Sequence, residues 1–548
     1  MIYKNNNLSK YLLFVFAFCS IQAFSQNFTK QDTLRGSITP ERAWWDLTHY
    51  HLDIKVDPSE KTIAGSNTIQ YTVLEKGQKT LQVDLQPPLQ MTKAIQNGEE
   101  LEITHDGNAH FIHLKKRQKK GKVYRVEVFY EGKPKVAKRP PWDGGITWRK
   151  DANGLPFIAS SCQGLGASVW WPCKDHMYDE VDSMKISVNV PKDLMNVSNG
   201  RLTKVEALDD DTKTYHWKVV NPINNYGVNI NIGDYVYFGE KYEGENGTLD
   251  MDYYVLRDNL DKAKEQFKDA KRTLEAFEHW FGPYPFYEDS YKLVEAPYLG
   301  MEHQSSVTYG NGYENGYRGR DLSNTGWGMK FDFIIIHESG HEWFANNITN
   351  IDIADMWIHE SFTNYSENLF LDYFYGKEAS AAYVIGTRAN IQNDRPIIGI
   401  YNVNHEGSGD MYYKGGNMLH MIRQLINDDA KWRSILRGLN KDFYHQTVTT
   451  QQIESYISEK SEIDLSAVFD QYLRTTDIPV LRYKREGNKL MYRWENSVDD
   501  FNMKVRLAVN KKLIWLSPTT TWQTKEIDTK VSTMELDPNF YVTMKEME

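Results

Sequence analysis

Two histidines and a glutamate in the middle of the chain have the spacing of a metal site. The motif His337-Glu338-Ser339-Gly340-His341 follows the mostly apolar run 331–336. Residues at i and i+4 lie on one face of a helix about one turn apart, so the two imidazoles could share one zinc ion. Glu338 would then lie beside the metal and could deprotonate a water molecule. The alternative, an ordinary helix with two surface histidines, is the weaker interpretation.

A third metal ligand is expected at Glu360. Eighteen residues separate it from His341, and it lies in a segment whose apolar spacing, over residues 357–373, predicts a second helix. Two histidines and one carboxylate leave a fourth position open, as catalytic zinc requires, whereas structural zinc sites are usually closed and rich in cysteine. Glu367 would face the same side of that helix and could hydrogen-bond a ligand histidine, although a solvated position is nearly as well supported.

The spacing of apolar side chains predicts the strands and helices that must position these residues. Residues 46–250 mostly alternate, which predicts a large, mainly antiparallel β domain. Helical periodicity dominates from residue 259 to about 472, so the metal motif lies in a mainly helical region. A second β stretch follows Pro479 and has room for a small β-sandwich. We therefore expect an α+β multidomain protein with domains at 26–250, 251–476 and 477–548.

The first residues predict an export signal. Two lysines precede the apolar run 11–24, which is too short for a typical membrane span, and residues 23–25 fit a signal peptidase site. We expect residues 1–25 to be removed and the protein to be exported, with the periplasm as the favoured location. Secretion is less favoured, as is lipid anchoring through Cys19, because the bulky Phe18 stands where a small residue is expected.

Composition excludes several classes of protein. The 548 residues are 40% hydrophobic, 25% charged and 13% aromatic, which is typical of globular domains and not of disordered chains. The mean hydropathy of -0.61 argues against a polytopic membrane protein. The net charge of -10 argues against a nucleic-acid partner, whose binding surface would be basic. After signal removal Cys162 and Cys173 remain, either as a disulfide or as two buried thiols.

Five stretches of the sequence carry a resemblance to one known family. They are 50–65; Ser161-Cys162-Gln163 with 171–175; Gly300-Met301-Glu302-His303; 337–346 with Glu360; and Tyr412-Tyr413-Lys414-Gly415. In this order they resemble the aminopeptidase N group of gluzincin zinc peptidases, which also contains leukotriene hydrolase. The resemblance covers most of residues 40–480. It implies a thermolysin-like, mainly helical catalytic domain behind an N-terminal β domain, with one zinc ion per chain.

The resemblance also implies a role for each motif. Glu302 would bind the free α-amine of a peptide substrate, with Gln163 as its partner from the β domain. The backbone of Gly300-Met301 would line the substrate as an extended strand. Tyr412 would donate its phenol to the oxyanion of the tetrahedral intermediate. The implied activity is a zinc-dependent aminopeptidase that removes N-terminal residues by metal-activated water attack, with Glu338 as the base.

Three positions depart from the family pattern, and several alternatives stay open. His303 and His359 stand where asparagine is usual, and Tyr413 replaces a glutamate. The two histidines could tune the pH dependence or bind a second metal, but substituted packing positions are the simpler explanation. The preferred first residue of the substrate and the oligomeric state are not predicted. The rival functions are a zinc endopeptidase, which Glu302 disfavours, an epoxide hydrolase and an exported peptide-binding protein.

Overall fold

A computed structural model describes residues 27–207, 211–527 and 533–547. These residues form an N-terminal β-rich domain, a mainly helical middle region and a C-terminal group of strands, which confirms the predicted α+β multidomain fold. The predicted signal peptide, residues 1–25, lies outside the described residues and stays a prediction. No helix within the described ranges combines the length and the apolar character that a membrane crossing requires.

The N-terminal domain consists of two short helices and a series of strands. In chain order they are α1 (Lys30–Gly36), α2 (Pro40–Ala43), β1 (Trp45–Asp57), β2 (Thr62–Val73), β3 (Thr80–Asp84), β4 (Gln90–Gln96), β5 (Glu99–Asp106), β6 (Ala109–His113), β7 (Val123–Gly132), β8 (Gly145–Lys150), β9 (Pro156–Ser161), β10 (Met184–Pro191), β11 (Met195–Val197), β12 (Arg201–Ala207), β13 (Thr212–Val219) and β14 (Asn231–Gly233). The larger sheet has the order β12-β13-β10-β1-β2-β7-β4-β5-β6-β3, and the smaller has the order β11-β14-β9-β8. Neighbouring strands are antiparallel apart from β1 and β10, which run parallel.

The middle region combines a mixed sheet with a layer of helices. Its elements are β15 (Tyr235–Gly244), β16 (Gly247–Leu256), α3 (Leu260–Gln266), α4 (Lys268–Phe281), β17 (Tyr291–Glu295), β18 (Gly300–Met301), β19 (Val307–Tyr309), α5 (Phe333–Gly340), β20 (Ile348–Asn350), α6 (Trp357–Tyr375), α7 (Lys377–Gly386), α8 (Tyr413–Ile426), α9 (Asp429–Asp442), β21 (Gln446–Val448), α10 (Thr450–Ser461) and α11 (Ser466–Arg474). The sheet order is β15-β16-β17-β19-β18. The domain boundary predicted after residue 250 therefore falls inside β16, which pairs with β17.

The C-terminal strands form two small sheets. They are β22 (Val480–Glu486), β23 (Lys489–Glu495), β24 (Val505–Val509), β25 (Lys512–Leu516), β26 (Gln523–Glu526), β27 (Met534–Leu536) and β28 (Thr543–Glu546). The sheet orders are β26-β23-β22-β28 and β25-β24-β27. Apolar side chains of both sheets belong to the same core as the helices of the middle region, so the C-terminal strands pack directly on that region.

The core explains how two regions of the chain meet at one cleft. Helix α5 is buried along its whole length, which accounts for the run of apolar residues at its start. A second core fills the β domain. It includes Val294 and Met301 from the neighbouring mixed sheet and Tyr298 from the loop between β17 and β18. Strand β18 therefore packs against the β domain. This packing brings side chains of the β domain next to the motif that contains Glu302.

The two cysteines that the structure describes are free thiols. Cys162 and Cys173 are both fully buried in the β domain. Burial raises the pKa of the Cys162 thiol, so the reactive thiolate form is scarce at neutral pH. The structure therefore favours two packed thiols over a disulfide.

Candidate active site

The helix that carries the first metal motif begins at a strong cap. The Asp332 carboxylate accepts hydrogen bonds from the backbone N–H groups of Ile334 and Ile335, at 3.1 and 3.3 Å. Such a cap satisfies backbone donors that the first helical turn leaves without partners. His341 follows the last residue of α5 and keeps a helical backbone, so it lies one turn beyond His337. The cap thus fixes where both imidazoles point.

The three predicted ligands converge on one point. The Glu360 Oε2 atom lies 3.4 Å from Nε2 of His341 and 3.7 Å from Nε2 of His337. The ligand atoms of the three residues all lie within 4.8 Å of one another. Glu360 Oε2 is buried and accepts no hydrogen bond from a described residue, which is costly unless a cation binds there. Two imidazole nitrogens and one carboxylate are the ligands of a catalytic zinc site, so these residues fit the ion.

Hydrogen bonds on the far side of each imidazole turn its Nε2 atom towards the third ligand. Nδ1 of His337 donates to the Glu367 carboxylate at 2.9 Å, and the Tyr383 phenol donates to the other oxygen of that carboxylate at 2.8 Å. Nδ1 of His341 lies 3.0 Å from the Phe344 carbonyl oxygen. Such partners fix the tautomer and the ring orientation of metal-binding histidines. Glu367 is fully buried, unlike the solvated alternative considered above.

We expect the substitution Glu367→Ala to weaken zinc binding by about 10–100-fold, because His337 loses the group that orients and polarises it. The measurement is a competition titration of zinc against a chelator, made on protein that is shown to be folded by its thermal melt. Glu378→Ala, at an exposed position on α7, is the matched control and should keep the wild-type affinity. Unchanged zinc affinity in Glu367→Ala would contradict the positioning role.

Glu338 lies between the metal ligands and the edge strand β18. Its carboxylate, that of Glu302 and the His341 imidazole form a second group whose ligand atoms lie within 4.8 Å of one another. A Cβ atom on Gly300 would stand 2.7 Å from the Glu338 Oε1 atom, so glycine is needed there for the carboxylate to fit. Burial raises the pKa of Glu338 to about 8. A carboxyl group with a raised pKa is suited to take up a proton and release it again near neutral pH.

A buried pocket of negative charge lies beside this carboxylate. The Gln163 amide donates to Glu302 Oε1 at 2.5 Å and to Glu360 Oε1 at 3.2 Å. Glu302 is only 3% exposed, and burial raises its pKa. The Tyr226 phenol, from the β domain, lies beside this carboxylate. The pocket can therefore hold a small cation such as an amine in a desolvated, charge-assisted contact.

Tyr412 faces the ligands from the start of helix α8. Its ring lies over that of His337, with centroids 6.0 Å apart and an interplanar angle of 29°. Burial, and then the negative charge of Glu360, raise the pKa of the phenol, so it stays protonated and able to donate a hydrogen bond. Tyr413 lines the same cavity. The Tyr412 phenol therefore gives the site a neutral hydrogen-bond donor in addition to the carboxylate of Glu338.

The two histidines that depart from the family pattern are packing residues. His303 and His359 are fully buried, and burial lowers the pKa of each to about 3, so both are neutral. His359 Nε2 accepts the Asn350 N–H at 2.9 Å, and its ring stacks on that of Tyr226. In the part of the chain that the structure describes, neither belongs to a group of side chains able to share a metal ion. The second-metal alternative is therefore not supported.

Several residues of the cleft could not be predicted from a sequence motif or from residue spacing. Tyr226 contacts Glu302, and Trp142, Arg395 and Glu406 line the cavity of about 470 Å³ at the metal ligands. These residues stand in loops of common composition, and no fixed spacing links them to the metal motif. They reach the site through the tertiary fold alone.

Comparison with protein families identifies both domains of the cleft. Residues 265–472 match the Peptidase family M1 domain, and residues 47–226 match the Peptidase M1 N-terminal domain. The first match contains the metal cluster, and the second contains Gln163 and Tyr226. Together they cover both walls of the site described above.

Individual relatives and solved structures agree with these matches. Leukotriene A-4 hydrolase of Xenopus laevis is 24% identical over 489 residues, which cover 81% of this chain and 74% of that protein. Leucyl aminopeptidase of Saccharolobus solfataricus is 23% identical over 465 residues, which cover 80% of this chain but only 56% of that protein. The M1 zinc metallopeptidase of Deinococcus radiodurans aligns with a TM-score of 0.67 at 21% identity, covering 80% of this chain and 96% of that one. A mutant of the same enzyme has been solved with a Tyr-Ser-Ala substrate and aligns with a TM-score of 0.65 at 20% identity, covering 79% of this chain and 95% of that one.

Proposed function

Because this chain belongs to peptidase family M1 and carries the ligand set of its zinc metallopeptidases, we propose that it is an aminopeptidase that removes residues from the N-terminus of peptides. The observation that supports this proposal is the distance between the amine pocket and the metal ligands. A carboxylate oxygen of Glu302 lies within 4.8 Å of the ligand nitrogen of His341. In a peptide the α-amine and the carbonyl carbon of one residue are about 2.5 Å apart. Only the first peptide bond can therefore reach the metal when a free amine occupies the pocket.

The chain's own residues divide the work of hydrolysis. Glu302 and Gln163 would hold the amine and so place the first carbonyl. Zinc, when bound by its three ligands, polarises that carbonyl and makes water an effective nucleophile at neutral pH. Glu338 would take a proton from the attacking water and pass it to the leaving amine. The Tyr412 phenol would donate to the oxygen that becomes negative as water adds.

A free amine should be required for turnover. We expect the wild type to hydrolyse aminoacyl-coumarins with free N-termini, to leave the N-acetylated forms intact and to lose activity with a chelator. The substitution Glu302→Gln removes the charge that binds the amine and should lower kcat/KM on free-amine substrates by about 10²-fold, since charge-assisted contacts in a dry pocket are worth a few kcal/mol.

Turnover of the N-acetylated substrates distinguishes an aminopeptidase from the rival functions. Turnover of acetylated substrates by the wild type would indicate an endopeptidase and leave Glu302 without this role. Full zinc content with no turnover of either set would favour the peptide-binding alternative. Glu378→Gln, outside the cleft, is the control for the effect of removing a carboxylate.

A further inference from the structure

Two side chains that the proposed mechanism does not use line the entrance of the cleft. Trp142 comes from the β domain and Glu406 from the loop before helix α8. Both line the cavity at the metal ligands and also an adjoining outer cavity of about 390 Å³. Trp142 is 68% exposed, which is unusual for the largest aromatic side chain in a soluble protein. Large aromatic side chains left open in a cleft are common recognition surfaces.

The turn that carries Trp142 is held in place by its neighbour. The Asp143 carboxylate accepts the backbone N–H groups of Lys138 and Arg139, at 2.7 and 2.9 Å. The backbone N–H of Trp142 itself donates to the Arg139 carbonyl at 3.1 Å. The backbone that carries the indole is therefore a fixed turn, so only the side chain itself has to be ordered on binding.

The loop that carries Glu406 is fixed as well. A Cβ atom on Gly407 would stand 1.7 Å from the Ile397 carbonyl oxygen, so the two arms of the loop are in direct backbone contact. The Arg395 guanidinium donates to the Gly407 carbonyl at 2.9 Å and lies 3.8 Å from the Asp394 carboxylate. This packing sets the direction in which the Glu406 side chain leaves the loop.

The charge of Glu406 is not neutralised by an ion pair. Among the residues that the structure describes, no cation lies within ion-pair distance of its carboxylate. The Arg395 guanidinium lines both cavities and acts on Glu406 from a longer distance, and it has the Asp394 carboxylate 3.8 Å away. Glu406 lines the same cavity as the Glu360 carboxylate. The entrance therefore offers a carboxylate that no direct ion pair occupies and that can bind a cation.

The outer cavity adjoins the end of the site where the substrate amine would bind. Gly164 follows the amine-contacting Gln163 directly in the chain and lines both cavities. The leaving peptide would instead extend along Gly300 and Glu338, neither of which lines the outer cavity. The first side chain of a bound peptide is thus the part of the substrate that can reach Trp142 and Glu406.

We propose that Trp142 and Glu406 form the subsite for the substrate's first side chain and that this subsite favours the long cationic side chains of arginine and lysine. The proposal rests on the proposed aminopeptidase function and names its substrate class. An indole face attracts a guanidinium or ammonium group through its quadrupole, and a carboxylate pairs with the same group. The length of arginine and lysine lets the charge reach the entrance while the α-amine stays at Glu302.

Two pairs of matched substrates test the charge alone. Arginyl-coumarin is compared with citrullyl-coumarin, and lysyl-coumarin with norleucyl-coumarin, since each pair has similar shape and differs in charge. The wild type should prefer the charged member by about tenfold or more in kcat/KM, mainly through KM. Glu406→Gln should bring both ratios near one, and Trp142→Ala should lower them several-fold. Glu100→Gln, on an exposed strand of the β domain, should keep the wild-type ratios.

The outcomes separate this inference from the function on which it rests. Equal turnover of arginine and citrulline by the wild type would overturn the subsite while the aminopeptidase activity stands. A wild-type ratio in Glu406→Gln would do the same, and the norleucine rate shows that each variant is folded and active. Absence of turnover on every free-amine substrate would overturn the proposed function and this inference together.

Discussion

The substitution Glu338→Gln is expected to lower kcat by about 10²–10⁴-fold, the range that general acid–base groups contribute. Glutamine keeps the size and hydrogen-bonding shape of the side chain but can neither accept a proton from water nor return one to the leaving amine. Gly300 leaves room for this side chain, so the exchange should not disturb the strand beside it. The measurement is kcat on a free-amine substrate at saturating concentration.

Zinc content and substrate affinity decide how that loss is interpreted. The variant should bind one zinc ion per chain and keep a KM close to the wild type, since the ligands and the amine pocket are intact. Loss of zinc would mean that the substitution damaged the metal site instead. A variant with wild-type kcat and full zinc would show that Glu338 is not the base.

The substitution Tyr412→Phe should lower kcat by about 10²–10³-fold, as removal of a single oxyanion donor does in other hydrolases. The phenol is buried next to Glu360 and stays protonated, so it can donate to the oxygen that becomes negative in the transition state. Phenylalanine keeps the ring that stacks on His337 and removes only the donor. Because this contact forms in the transition state, kcat should fall while KM changes little.

Tyr413→Phe provides the matched comparison, because it deletes a phenol from the next residue in the same cavity. We expect it to lose less than Tyr412→Phe by at least about tenfold. The reverse order of the two losses would transfer the donor role to Tyr413. An equally small loss of kcat in both variants would show that neither phenol is the hydrogen-bond donor to the oxyanion.

The metal site could be predicted from sequence because helix geometry determines it locally. His337 and His341 are one turn apart in any helix, and the spacing to Glu360 matches the family pattern. The packing of Glu367 against His337 follows from the same helical periodicity on α6. The roles of His303 and His359 could not be settled this way, because burial decides their charge and only the fold shows burial.

The family resemblance implied the long-range pair of Gln163 and Glu302, but other contacts between distant parts of the chain could not be predicted from the sequence. Tyr226 reaches Glu302 from another domain, and Trp142 and Glu406 line one cavity from loops with no shared pattern. Strand pairing was equally hidden, since alternation predicts strands but not their partners. The parallel pair β1–β10 and the pairing of β16 with β17 both depend on connections that bring together distant segments.

We propose that this zinc peptidase cleaves peptides only at a free N-terminus. The most direct test is a time course of cleavage of one unblocked ten-residue peptide, and of its N-acetylated form, followed by mass spectrometry. We expect the unblocked peptide to lose one residue at a time from its N-terminus, while the acetylated form stays intact. Internal fragments, or any cleavage of the acetylated peptide, would contradict it.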